Sequence, residues 1–386
     1  MARLFYGNFD FEHRLADPRR EPTKIHKRLN AELATSWLAL ARDGDLIWTP
    51  AAIEVDFFLT AMAQGLPRVI PINSWDEVPG NVEFVPWGWS SDARSLAKRI
   101  GTSVAPPEES AVQIANSRAT SFRLEQQWDV GLDGARRIET EQDLDAVLTT
   151  GDSPERPWVI KSEFGMSGRE RIRGWGLPTP ADLQWLRRRL GPQHAVFYEP
   201  WVESIAEAGI QIDVPRTGSP RLVGVTPMLV DERGQYAGSL IESDRPSLLT
   251  ELHPWEDAIE VALLAAAHLQ ELGYFGPLGI DSMQYKDRDG SLRLRPLQDI
   301  NARWTMGRLS LGLARLLAPG EMGIWSHGSI DANDVIHCRS REFCTRRTIA
   351  TSPPQVGGDP CLHASQLLLG DLLETDDPKW GVGSST

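Results

Sequence analysis

The chain has 386 residues, with 40 Lys and Arg against 53 Asp and Glu and a formal net charge of −13. That balance argues against generic nucleic-acid binding while leaving room for a local basic site. Hydrophobic residues at 41% and charged residues at 24% describe a globular chain with ample core material, of a length expected for two or three domains or a multi-lobed enzyme. No apolar run approaches the ~18 residues of a membrane span. The opening MARLFYGNFDFEHR lacks an apolar signal region. Three cysteines, Cys338, Cys344 and Cys361, suit a reduced, cytoplasmic protein better than a disulfide framework.

Strands are expected at 2–6, 45–49, 68–71 and 82–87, with helices at 30–42 and 51–64 between them. Strands alternating with helices predict an open α/β domain over 1–111, bounded by the Pro-rich stretch 104–111. Asn8, Asp10 and His13 follow the first strand, where open α/β sheets bind ligands. They are either substrate contacts or a loop of incidental polarity.

Residues 112–150 read as helix, short strand and helix, followed by a strand at 157–161 and a glycine-bearing loop at 162–176. Thr179 is an N-cap with Pro180 at the first helical position of a helix over 180–190, and a strand at 195–199 follows. Antiparallel strands are expected near 209–215, 221–230 and 235–242, with a turn at Asp231–Gly234. A long helix at 254–272 precedes strands at 277–286 and 291–300, joined by a turn ending on Gly290, and a helix at 304–318. The pattern weakens over 321–386, and the tail from Thr375 is expected to be mobile.

Two segments carry chemical signals. In VIKSEFGMSGRERIRG, a buried strand ends on Lys161 and Gly165, Ser167 and Gly168 follow. Glycines let backbone N–H groups approach phosphate oxygens, and the lysine supplies a point charge. Eight basic residues stand against three acidic ones from 156 to 189, and Arg169, Arg171 and Arg173 would share one face of a strand. An ordinary charged hairpin is the competing reading. The segment matches neither a Walker loop nor a dinucleotide fingerprint.

The second signal lies in residues 277–307. Asp299 and Asn301 stand two apart on one strand and share a face, and the hairpin can bring Asp281 onto it. Two carboxylates and an amide oxygen suit Mg²⁺ bridging nucleotide phosphates, and Arg303 could stabilise a transferring phosphoryl group. A polar strand face with solvated acids is the alternative, although the apolar surroundings favour paired carboxylates.

Taken together and in this order, the segments resemble the ATP-grasp superfamily. VIKSEFGMSG looks like that family's strand, lysine and glycine loop. FYEPWV (197–202) looks like its adenine-holding strand and hinge, and DINAR (299–303) like its metal-binding acid-x-Asn-x-Arg strand. IANSRATSF (114–122) resembles the start of its nucleotide region, with Arg118 where a lysine is usual. Asp299 stands where Glu is more usual.

The resemblance spans about 112–318. It implies an α/β and α+β protein: an N-terminal open α/β domain, then a two-lobed ATP-grasp fold with lobes at 112–200 and 201–320 and an extension at 321–386. It also implies site roles. Arg118 and Lys161 would meet the α/β-phosphates. Ser162, Gly165, Ser167 and Gly168 would form a lid over the β/γ-phosphates. Glu199, Trp201 and Val202 would meet the adenine. Glu207 is either a ribose ligand or a solvated acid. Asp281, Asp299 and Asn301 would hold one or two Mg²⁺, with Mn²⁺ as a substitute. The implied cofactors are ATP and Mg²⁺, and Lys161 and Arg303 are the catalytic candidates.

The implied activity is a ligase that turns a carboxylate into an acyl phosphate and joins it to an amine. The alternatives are an ATP-grasp kinase and a nucleotide-binding protein without turnover. Expected partners are small-molecule carboxylates and amines, with no nucleic acid and no membrane, and a homodimer is the assembly to test. The set His337, Cys338, Cys344, Cys361 and His363 lacks the cysteine spacing of structural zinc sites and reads as ordinary thiols and histidines.

Overall fold

The computed structural model describes all residues except 20, 103, 151–156, 166–169, 194, 232–233, 244–254, 329–334 and 384–386; for 148–150, 191–193, 335–342 and 372–383 it describes the backbone alone. The chain opens with β1 (Arg3–Tyr6), α1 (Phe11–Ala16), α2 (Lys24–Glu32), β2 (Leu46–Trp48), α3 (Val55–Ala63), β3 (Ile70–Ile72), β4 (Glu83–Pro86) and α4 (Ser91–Arg99). Its four strands pair in parallel in the order β3-β2-β1-β4. Leu4, Leu46, Ile72 and Phe84 face a core shared with Ala93 and Ala97 of α4, while Phe5, Ile47 and Val85 face the main core with Trp37. Alternation on strands buried on both faces explains why they read as apolar runs.

The helix expected over 30–42 takes a different form. Thr23 accepts a hydrogen bond from the His26 N–H and starts α2 early, and the buried run Ala34–Ala39 tightens into a 3₁₀ turn.

Next come α5 (Glu109–Asn116), α6 (Arg118–Trp128), β5 (Arg136–Ile138), α7 (Glu141–Thr150), β6 (Pro157–Ser162), β7 (Arg171–Trp175), α8 (Pro180–Gln193) and β8 (Val196–Pro200). Their strands form an antiparallel sheet in the order β5-β8-β6-β7. Thr179 caps α8 as expected: its hydroxyl accepts from the Asp182 N–H, and Asp182 accepts from the Thr179 N–H at 2.8 Å.

The remainder is β9 (Glu203–Val214), β10 (Arg221–Val230), β11 (Tyr236–Glu242), α9 (Glu256–Glu271), β12 (Gly276–Lys286), β13 (Leu292–Asn301), α10 (Met306–Leu313), β14 (Met322–His327), β15 (Val335–Ala350), β16 (Gln355–Val356), β17 (Asp359–Pro360) and β18 (Ser365–Gly383). Eight of these strands make one antiparallel sheet in the order β13-β12-β9-β10-β11-β14-β18-β15. Ala258, Ala262, Ala265, Ala266 and Leu269 form the buried stripe of α9 and join the core with Ile210, Ile212, Ile280 and Ile300 of the sheet. Small side chains at helical spacing let the helix sit close to the sheet.

Of the tail expected to be mobile, residues 375–383 lie in β18, and 384–386 lie outside the described residues. The backbone of β18 runs to Gly383 against β15, with Val335 opposite Gly383. Local periodicity could not show this, because the pairing partner lies about forty residues upstream.

Candidate active site

Lys161 and Glu199 lie on adjacent strands. Lys161 is opposite Phe197 and Glu199 opposite Val159, so the two side chains emerge on one face of the sheet. The Lys161 Nζ donates to Glu199 Oε2 at 2.6 Å. Glu199 also accepts from Arg295 of β13 at 2.9 and 3.1 Å, and Arg295 in turn grips Glu125 of α6 at 2.5 and 2.9 Å. Burial would raise Glu199, but Arg295 and Lys161 outweigh it and hold the carboxyl below its usual range. Burial lowers Lys161, assisted by the nearby Arg118 and Arg295, against the opposing pull of Glu199.

The β12–β13 hairpin places Asp281 directly opposite Asp299. The Asn301 amide donates to Asp281 Oδ2 at 3.1 Å, and its oxygen accepts from Arg303 Nη2 at 2.9 Å. Arg118, capped into α6 by Ser117, reaches Asp299 Oδ2 at 3.0 Å and the Ser162 carbonyl at 3.3 Å. Arg118 therefore joins the loop after β6 to the carboxylate hairpin. Burial, together with Asp299 and Glu207 nearby, pushes Asp281 up to about 7. A carboxylate pair under that stress fits a divalent cation, which would relieve both burial and repulsion. Among the described residues no three His, Cys, Asp or Glu side chains gather as metal ligands. The donor set here is two carboxylates and an amide.

These groups line one cavity of about 300 Å³. Arg118, Lys161, Gly165, Glu207, Asp281, Asp299, Asn301 and Arg303 are all in its wall. Glu207 is half-buried there, accepting from Ser204 at 3.1 Å, and its carboxyl is raised by burial.

Four expected residues stand apart from the cavity. The Ser162 hydroxyl is buried and turned to the carbonyls of Phe164 and Glu170 at 2.9 and 3.0 Å, so it closes the loop instead of reaching a phosphate. The Glu199 carboxylate is engaged by Lys161 and Arg295 and is not in the cavity wall. The Trp201 N–H donates to the Pro157 carbonyl at 2.9 Å, while its ring lies under the Arg173 guanidinium at 3.6 Å. Val202 packs against a cluster containing Met283 and Tyr285. Ser167 and Gly168, and with them the lid expectation, lie outside the described residues.

The basic island divides in the fold. Arg187 pairs with Glu141, Arg189 with Glu170 and Lys161 with Glu199, so much of its charge is balanced locally. Arg171 and Arg173 do share a face, meeting Trp201 together.

At the edge of the parallel sheet, Asn8 donates to the Gly88 carbonyl and to Ser90 at 2.9 and 3.0 Å, and Asp10 accepts from Asn30 at 2.8 Å. His13 stacks on His26 at 4.5 Å. These three support the loop. The groups of this domain that do reach the cavity are Phe9, Glu12, Leu29, Leu33 and Trp87. Glu12 pairs with Arg303, which also donates to the Trp304 carbonyl at 2.9 Å.

Sequence reasoning missed Glu12, Glu125 and Arg295. The available signal was slight: Glu125 follows Leu124 on α6, and Arg295 stands two residues before Leu297 on one face of β13. Buried charges need partners, but pattern alone does not say which.

No protein-family model and no curated protein sequence matches the chain. Solved structures do. A biotin carboxylase–beta-gamma-ATP complex from Campylobacter jejuni aligns at TM-score 0.50 and 11% identity over 89% of this chain and 86% of its own. A Rhizobium etli pyruvate carboxylase aligns at TM-score 0.50 and 13% identity over 95% of this chain and 36% of its own. An N5-carboxyaminoimidazole ribonucleotide synthetase in its ADP complex aligns at TM-score 0.47 and 11% identity, covering 88% and 91% of the two chains. Among the described residues, the parallel four-stranded domain followed by antiparallel sheets of four and eight strands, with the two-stranded β16–β17 ribbon, is a mixed α/β architecture. This chain has the ATP-grasp fold. No helix among the described residues is long and apolar enough to cross a membrane.

Proposed function

We propose that this chain is an ATP-dependent ligase that activates a carboxylate and joins it to an amine. The observation that carries the reading is the gathering of Lys161, Arg118, Asp281, Asp299, Asn301 and Arg303 in the wall of a single cavity. Cations and paired carboxylates together are what a magnesium nucleotide requires. The shared fold supports the reading.

Lys161, held by Glu199, and Arg118 meet the nucleotide phosphates. Asp281, Asp299 and Asn301 would hold Mg²⁺, which would supply neutralisation of the nucleotide's phosphate charge. Trp201 and Val202, outside the cavity wall, remain candidates for the adenine by resemblance alone, and the Trp201 backbone N–H is already used by Pro157. In the first step a substrate carboxylate oxygen attacks the γ-phosphorus, the bond to the bridging oxygen breaks, and ADP leaves. In the second step an amine nitrogen attacks the acyl carbon, the acyl–phosphate C–O bond breaks, and phosphate leaves as the nitrogen loses a proton. The chain's part is positioning and charge, with Arg303 beside the reacting groups.

The test is incubation with ATP, Mg²⁺, hydroxylamine and a panel of small carboxylates. One of them should yield hydroxamate and ADP in equal amounts. ADP without hydroxamate, with a phosphorylated hydroxyl product, would indicate a kinase. No ADP with any carboxylate would leave a binding protein.

A further inference from the structure

The part of the cavity wall supplied by the N-terminal domain has a chemistry of its own. Phe9 and Trp87 lie 4.7 Å apart, ring centre to ring centre, and Leu29 and Leu33 of the α2 region complete an apolar surface. Glu12 stands beside it, because the Arg303 guanidinium that Glu12 binds also lies 5.4 Å over the Trp87 ring. Glu12 is only 6% exposed. Its Oε1 accepts from Arg303, whereas its Oε2 is buried with no hydrogen-bond partner among the described residues. A buried carboxylate oxygen without a donor is unfavourable, and a ligand bringing N–H groups would satisfy it. Through Arg303 and Asn301 the same carboxylate connects to the Asp281–Asp299 hairpin.

Resting on the ligase reading above, we propose that this wall is the seat of the amine substrate, a primary amine with an apolar body of aromatic size. Its N–H groups donate to Glu12 Oε2, and its body lies against Phe9, Leu29, Leu33 and Trp87. The amine nitrogen is thereby held next to Arg303, on the side of the cavity where the acyl group forms. Glu12 is then a specificity residue contributed by the N-terminal domain.

Calorimetry without ATP tests this, using phenethylamine and its carboxylate counterpart 3-phenylpropionate. Phenethylamine should bind more tightly than 3-phenylpropionate. Glu12→Gln should weaken phenethylamine by at least about tenfold, as expected for losing a charged acceptor. Leu33→Trp, which fills the apolar wall, should weaken phenethylamine by a similar factor and decides the matter if thermal melting shows Glu12→Gln to be unfolded. The proposal is overturned if 3-phenylpropionate binds more tightly and gains from Glu12→Gln, if neither substitution alters phenethylamine binding, or if phenethylamine does not bind. Amine binding with no hydroxamate from any carboxylate would instead count against the ligase reading alone.

Discussion

Arg295 holds two buried carboxylates at once, and its own side chain is only 2% exposed. Replacing it by Met keeps the volume but strands Glu125 and Glu199. Removing one partner from a buried charge network is expected to lower unfolding free energy by about 3–5 kcal/mol, measurable by denaturant titration. A loss below about 1 kcal/mol would mean that water already serves these acids. Lys161 would feel the same change through Glu199, so nucleotide affinity should fall along with stability. Asp299 makes a separate case. Asp299→Asn keeps the shape of the side chain while removing one charge from the cation site, and ADP formation should drop by at least about a hundredfold. Near-normal turnover at saturating Mg²⁺ would remove Asp299 from the metal set. Thermal melting should change little in this variant, since Asp299 is a partly exposed member of its pair with Arg118.

The elements were legible in the sequence wherever the pattern was local. The parallel strands read as apolar runs. The Asp281–Asp299 face followed from two-residue periodicity and a hairpin turn on Gly290, whose φ of +81° favours glycine. Contacts set by distant pairing were not legible. Ser162 ends β6, and its rotamer is fixed by carbonyls of Phe164 and Glu170, which no spacing rule reveals. Glu12 and Arg303 are 291 positions apart and meet only because the first helix of the parallel domain docks beside the end of β13. The floor of the cavity has the same origin. Gln211 donates to Thr226 at 3.4 Å and accepts from Thr305 at 2.6 Å, and the start of α10 lies against both because residue 307 has no side chain. A Cβ at Gly307 would lie 2.4 Å from the Thr226 hydroxyl and 2.6 Å from the Gln211 amide. Gly307→Ala should therefore push α10 off the sheet. It should cost about 1–3 kcal/mol as overpacking does, outweighing the helix-propensity gain of about 1 kcal/mol from Gly to Ala. Equal or higher stability in denaturant melts would show that the floor can yield.

At the scale of the whole molecule, part of the cavity wall is held by a contact between segments more than three hundred residues apart. Glu32, buried at the end of α2, accepts from Arg28 Nε at 2.7 Å, from the N–H groups of Leu362 and His363 at 3.0 Å each, and pairs with the His363 ring at 2.7 Å. His363 and Ala364 are themselves part of the cavity wall. Glu32 thus holds the loop before β18 against the N-terminal domain. Burial works to raise its carboxyl, but Arg28, the two backbone N–H groups and His363 prevail and depress it. The sign of the pH dependence follows. A carboxylate depressed in the folded state contributes its stability in full above its unfolded value, about 4.3 for Glu. That contribution is lost as pH falls through the lower folded value. Melting temperature should therefore decline below about pH 4 more steeply in the native chain than in Glu32→Gln. The variant should already be less stable at pH 7, by about 2 kcal/mol, since hydrogen bonds to a charged group are the ones weakened. Parallel pH curves for the two proteins would show that Glu32 is not the source. The same substitution separates a clasp from a mere surface contact. If Glu32 holds the cavity wall, hydrogen exchange at the amides of residues 361–364 should speed up in Glu32→Gln while the β12–β13 ladder keeps its protection. Unchanged exchange at 361–364 would mean that the strand pairing of β18 with β14 fixes the loop unaided.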